Sequence, residues 1–152
     1  MESVLIVEDE PAVRKELMLF TPWDSLGLQV IGEATNGLLA LDFIKNNTVD
    51  IVITDIRMPA MDGIALIQAI NDYFVTKKEE VPEYLLLSGF SEFEYARKAL
   101  RLGVMEYLLK PVDEKELCDS LLRARERRRA RIFAESLAIT KIKEVVETNT
   151  EG

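Results

Sequence analysis

Asp50-Ile-Val-Ile-Thr-Asp-Ile-Arg-Met-Pro-Ala-Met-Asp-Gly63 contains a strand, an acid at the strand's carboxyl end, a loop and the start of a helix. Ile51-Val-Ile53 is continuously apolar, as a strand buried on both faces of a parallel sheet must be. Asp50–Thr54 is therefore read as a strand and Asp55 as the residue that closes it. Arg57–Gly63 is the loop, and the apolar residues Ile64, Leu66, Ile67 and Ile70 recur at helical spacing after it.

The same alternation extends in both directions. Ser3-Val-Leu-Ile-Val7 is a short apolar run ending in Glu8, Asp9 and Glu10, and Pro11 suits the first turn of a helix to about Phe20. Leu28–Ala34 reads as a second strand, with Asn36-Gly37 as the turn into a second helix. Tyr84–Ser88 and Met105–Leu109 read as strands four and five. Between them Glu92–Leu102 is a helix closed by Gly103, and Asp113 caps a last helix. Val75–Pro82, before strand four, reads as a solvated loop. Strands alternating with helices imply βαβ units, and the fold expected is α/β, a doubly wound five-stranded parallel sheet.

Composition removes whole classes of chemistry. The 152 residues include no histidine and one cysteine. That excludes a Ser-His-Asp triad, a zincin helix, an intrachain disulfide and a Cys-cluster zinc site. A bound metal must then take oxygen ligands, which favours Mg²⁺ or Ca²⁺. No signal peptide and no membrane-length apolar run is present, so a cytoplasmic protein without membrane contact is expected. Residues 1–112 carry 10 basic and 18 acidic side chains, a body unsuited to nucleic acid; residues 113–152 carry 9 of each. The run Arg123–Arg131 holds six arginines, read as a solvated helix face or as a stripe for phosphate or a partner.

Ligands of an open doubly wound sheet bind at the carboxyl ends of its strands, where strand order reverses. Here those ends are polar: Glu8 and Asp9 after strand one, Asp55 after strand three, Ser88 after four and Lys110 after five. In the order 2-1-3-4-5, strands one and three are neighbours and three carboxylates converge. Like charges so close repel unless a cation sits among them, and Mg²⁺ is the natural one. Asp55 can then act as a nucleophile on a phosphoryl donor, with Lys110 and the Ser88 hydroxyl on the transferring oxygens. Singly, each residue has a plainer reading as a cap, a turn former or a solvated strand end. A flavodoxin-like cofactor carrier would need a Gly-rich phosphate loop after strand one, where acids stand instead. A haloacid-type phosphatase would want an aspartate where Arg57 stands.

Leu5-Ile-Val-Glu-Asp-Glu10, the stretch Asp50–Gly63, Leu87-Ser-Gly89 and Tyr107-Leu-Leu-Lys-Pro111 together resemble the receiver domain of two-component response regulators, over about residues 1–125. The resemblance implies that Asp55 is the phosphoacceptor, served by a sensor histidine kinase. It makes Asp9 the direct metal ligand, Glu8 a more distant acid and Arg57 a donor of its backbone carbonyl. Ser88 and Tyr107 become a switch pair, Gly89 leaves room for the phosphoryl group, and the Lys110-Pro111 bond is cis. Glu8 departs from the commoner aspartate. Such a domain is no conventional enzyme, since it catalyses only its own phosphorylation and dephosphorylation.

Ser88-Gly-Phe-Ser-Glu-Phe-Glu-Tyr-Ala96, with Pro22-Trp23 and Leu26-Gly27-Leu28, is similar to regulators whose output is an AraC-type DNA-binding domain. Only 41 residues follow Pro111, so a chain without that output domain is expected, with DNA reached only indirectly. The alternative is a stand-alone receiver acting through protein binding. Residues 126–152 are read as a helical linker or tail, the last helix running towards Val146. Ile132, Glu135, Ile139, Ile142 and Val146 fall at the steps of a short seam, read as a parallel helical linker that dimerises or extends the signalling helix, or as a simple solvated tail. Phe90, Phe93 and Tyr95 on the fourth helix offer a second face for a homodimer or are ordinary packing.

Overall fold

The computed structural model describes residues 1–89 and 93–151. Its five strands are β1 (Glu2–Val7), β2 (Leu28–Ala34), β3 (Ile51–Asp55), β4 (Glu83–Ser88) and β5 (Glu106–Leu109). The helices are α1 (Pro11–Phe20), α2 (Gly37–Asn46), α3 (Gly63–Tyr73), α4 (Phe93–Arg101) and α5 (Glu114–Glu151). All strand pairs are parallel, in the order β2-β1-β3-β4-β5, as expected from the sequence. Phe90 lies outside the described residues.

The strands with neighbours on both sides are the apolar ones. Every residue of β3 and β4 is buried, as are Val4–Val7 of β1, whereas the edge strand β5 alternates and the edge strand β2 is buried only at its two ends, Leu28 and Ala34. Each face of the sheet carries its own core. Leu5, Val7, Val52 and Leu86 pack with Ile44 of α2, Leu66, Ile67 and Ile70 of α3, and Ala99 of α4. Val4, Ile6, Ile53 and Leu85 pack with Leu17 of α1 and with Leu117, Leu121 and Ala124 of α5. Local signals set the helix ends: Asn36 and Asp62 accept the amides of Leu39 and Ala65, and Gly103 takes a positive φ after α4. The segment read as a plain loop before β4 contains one 3-10 turn, Lys78–Glu80.

The arginine run behaves differently from either reading of it. A carboxylate stands at or beside the amino end of four strands: Glu2 of β1, Asp50 before β3, Glu83 of β4 and Glu106 of β5. Helix α5 crosses this edge and answers each one. Arg129 pairs with Glu2, Arg128 with Asp50 at 3.2 Å, Arg127 with Glu83 at 3.2 Å, and Arg123 and Arg127 with Glu106 at 2.7 and 2.9 Å. Arg125 donates to the Leu26 carbonyl at 2.6 Å, and Arg131 to that of Val81 at 2.8 Å. Burial works against ionisation of Glu106, but its bonds from Arg123 and Arg127 hold its pKa below the ordinary value. The run is a clamp between the last helix and the sheet.

Arg128 is the buried member, its side chain 5% exposed, and it also donates to the carbonyls of Glu79 (2.7 Å) and Val81 (2.9 Å). Removing one partner of a buried pair leaves the other uncompensated. Arg128→Met is therefore expected to cost about 3 kcal/mol in urea unfolding. A midpoint unchanged from wild type would show that the clamp contributes nothing to stability.

Candidate functional site

The carboxyl ends of β1, β3, β4 and β5 bring the sequence-predicted residues into one pocket. Single carboxylate oxygens of Glu8, Asp9 and Asp55 lie within 4.8 Å of one another. Glu8 is fully buried, Asp55 nearly so and Asp9 half-buried. Lys110 reaches in from the end of β5, its Nζ 2.8 Å from Asp55 Oδ2 and 3.0 Å from Glu8 Oε1. Asp55 Oδ1 accepts the Ile56 amide at 2.8 Å, which fixes the carboxyl's rotation. The Lys110-Pro111 peptide bond is cis.

Charge in this pocket is incompletely matched. One ammonium faces three carboxyl groups, and Glu8 Oε2 is buried with no hydrogen-bond partner. Burial, followed by the close approach and charge of the Asp55 carboxyl, pushes the Glu8 carboxyl up to about 8 against the lowering by Lys110. Burial pulls the Lys110 ammonium down, but its bonds to Asp55 and Glu8 outweigh that, and its pKa lies above the ordinary value. An orphaned oxygen among three carboxylates, with no nitrogen or sulfur ligand, is a donor set that fits a hard divalent cation such as Mg²⁺. Among the described residues this is the one cluster of its kind.

Ser88 is buried at the end of β4, and its hydroxyl meets that of Tyr107 while also donating to the Gly89 carbonyl at 3.1 Å. The predicted switch residues are thus in contact, with the Tyr107 ring against the α2–α4 core. A Cβ added at Gly89 would meet nothing within 4 Å, so space remains beside Ser88. The Arg57 guanidinium leaves the pocket and lies 5.8 Å over the Tyr95 ring. Tyr95 itself is half-buried.

Two further residues hold the site together without having been singled out in the sequence. Arg14 of α1 donates to the Glu8 carbonyl at 2.7 Å and so anchors the acidic end of β1. Gly63 donates to the Ile56 carbonyl at 2.7 Å, and a Cβ there would collide with the backbone of Asp55. Its lack of a side chain lets α3 begin directly against the strand end that carries Asp55. Only the position of Gly63 in the quoted loop hinted at this; nothing local marked Arg14.

A family model described as the response regulator receiver domain matches residues 4–122. The chain is 40% identical over 121 residues to the uncharacterized transcriptional regulatory protein YesN of Bacillus subtilis, covering 80% of this chain and 32% of that protein. It is 35% identical over 117 residues to the transcriptional regulatory protein HptR of Staphylococcus aureus, covering 77% of this chain and 44% of HptR. It thus spans less than half of these curated relatives. Among solved structures, the REC domain of AraT, a response regulator from Geobacillus stearothermophilus, superposes with a TM-score of 0.73 at 32% identity, covering 83% and 94% of the two chains. A two component transcriptional regulator AraC from Clostridium phytofermentans gives 0.77 at 28% identity, covering 86% and 98%. No described helix is long and apolar enough to cross a membrane. By its sequence and by its fold, the chain belongs to the response regulator receiver domains of two-component signalling.

Proposed function

We propose that Asp55 accepts a phosphoryl group from the phosphohistidine of a sensor kinase, and that the resulting change of shape controls a transcriptional output. The observation that carries this reading is the arrangement around Asp55: a nucleophile of fixed rotation, a lysine on its free oxygen and two more acids within 4.8 Å. An Asp55 carboxylate oxygen forms the new bond to phosphorus as the imidazole nitrogen–phosphorus bond breaks, and the imidazole leaves with its electron pair. Lys110 offsets charge on the transferring oxygens. Ser88 exchanges its contact with Tyr107 for one with a phosphoryl oxygen, in the space beside Gly89. Mg²⁺, held by Glu8, Asp9, Asp55 and the Arg57 carbonyl, would supply the positive charge that phosphoryl transfer between anions requires. A groove of about 590 Å³ between α1 and the start of α5, lined by Val13, Leu17, Phe20, Lys110 and Pro111, gives the kinase a surface next to the acids.

On this reading residues 1–125 are the phosphoacceptor unit of a cytoplasmic regulator, and 126–152 the linker to its output. Its relatives YesN and HptR, named as transcriptional regulatory proteins, support control of transcription. Homodimers would form through the C-terminal helix or the α4 face. Intact mass after incubation with acetyl phosphate and Mg²⁺ tests the chemistry. One phosphoryl group per chain, labile to hydroxylamine and absent when EDTA replaces Mg²⁺, is expected. An unmodified mass under both conditions would overturn it.

A further inference from the structure

Helix α5 is continuous from Glu114 to Glu151, and its two halves meet different surroundings. Leu117, Leu121, Ala124 and Arg128 are buried against the sheet. Past Arg131 the exposed residues include Ile132, Phe133, Leu137, Ile139, Ile142, Val145 and Val146, each between 46% and 65% exposed. Phe133 and Leu137 lie on the opposite side of the helix and Val145 off to one side, whereas Ile132, Ile139, Ile142 and Val146 stand in one line, an exposed apolar patch of the kind that marks an interaction site. At about 100° per residue, Ile132, Glu135, Ile139, Ile142 and Val146 fall within the same quarter of the helix as Leu117, Leu121, Ala124 and Arg128. The stripe that α5 buries on its own body thus continues, in line, beyond the body.

We infer that this continuation is the docking surface for a second copy of the chain, and that the two helices run antiparallel. The repeat at steps of three and four is self-complementary, so one stripe can bury another by a two-fold axis. Direction follows from the clamp. Arg128 and Arg131 bond to the carbonyls of Glu79 and Val81, which places that segment on the stripe's side of the helix, level with its last body contacts. A parallel partner, packed at about 8–10 Å, would have to drive its own residues 114–131 through this segment. An antiparallel partner leaves in the opposite direction, away from the body.

Charge agrees with the steric argument. A parallel seam would set Glu135 against Glu135 of its mate, a repulsive pair. In the antiparallel register Ile139 faces Ile142, and Glu135 faces Val146 of the second copy with Lys143 one turn away. Only about five turns overlap, so the dimer is weak and concentration-dependent. This rests on the homodimer reading given above, to which it adds the surface and the direction of the helices, and it is independent of the phosphoryl chemistry.

The test uses the full chain with Cys118→Ser. Sedimentation velocity is expected to show a concentration-dependent dimer, and Ile139→Asp with Ile142→Asp to raise its apparent Kd at least about tenfold. Thermal unfolding of the body should not move, because both sites lie outside the core. Orientation is read by mild oxidation: Glu135→Cys with Val146→Cys should crosslink two chains, and Glu135→Cys alone should not. The two positions lie about 16 Å apart on one helix, too far for a bridge within a chain. Monomers at every concentration would give the stripe to another occupant and overturn the proposal. So would a dimer indifferent to the isoleucine changes, or crosslinking by Glu135→Cys alone.

Discussion

An Asp55→Asn chain incubated with acetyl phosphate and Mg²⁺ is expected to keep its unmodified mass while the wild-type chain gains one phosphoryl group. The substitution is close to isosteric, so the side-chain oxygen that accepts the Ile56 amide at 2.8 Å can keep that bond. What disappears is the anionic oxygen that Lys110 holds at 2.8 Å, and an amide is too poor a nucleophile to replace it. Loss of fold is not a competing explanation. Glu8 is fully buried beside Asp55, which contributes to holding its carboxyl up at about 8. Removing the Asp55 charge relieves that crowding, and Lys110 can still pair with Glu8 at 3.0 Å. Without metal, the variant is expected to be at least as stable as wild type in urea. A phosphoryl adduct on Asp55→Asn, found by peptide mapping at another acid, would remove Asp55 from its assigned role.

The pocket was legible because its members stand directly after apolar runs. Asp55 follows Ile51–Thr54, Ser88 follows the run from Tyr84 and Lys110 follows Leu109, so a parallel sheet delivers all three to one edge. What escaped were interactions whose partners lie far apart in sequence. Arg128 sits in a run that reads as solvated, yet it is buried because Asp50 waits 78 residues away. No periodicity encodes such a pairing, since the fold alone brings the strand starts under α5. The same clamp changes the meaning of the seam: a heptad pattern says that Ile139 and Ile142 want company, but only the body's position says from which direction it can come. Arg14 on the Glu8 carbonyl and Gly63 against Asp55 are of this kind too, local in space and silent in pattern.

Stability without metal is expected to fall as pH rises from about 4.5 to about 8, and Mg²⁺ is expected to reverse the loss. In the unfolded chain Glu8 titrates near 4.5; in the folded chain burial and Asp55 raise it to about 8. Between those values the unfolded state has released a proton that the folded state retains, so stability declines with pH. The contribution is complete below about 4.5, shrinks through the window and is gone above about 8. At about 1.4 kcal/mol for each tenfold change in proton affinity, the loss approaches about 5 kcal/mol. Lys110 adds no opposing slope, because its raised pKa keeps it charged throughout. A divalent cation binds only the folded pocket with its carboxylates ionised, so it competes with the proton on Glu8. Its stabilisation should therefore grow with pH, reaching about 2.7 kcal/mol at a hundredfold excess over Kd. Urea unfolding at about pH 5 and about pH 8, with EDTA or Mg²⁺, separates these effects. Glu8→Gln should flatten the EDTA profile. If wild type and Glu8→Gln show the same slope, the buried carboxyl is not its source. If Mg²⁺ stabilises equally at both pH values, the cation does not sit among these acids.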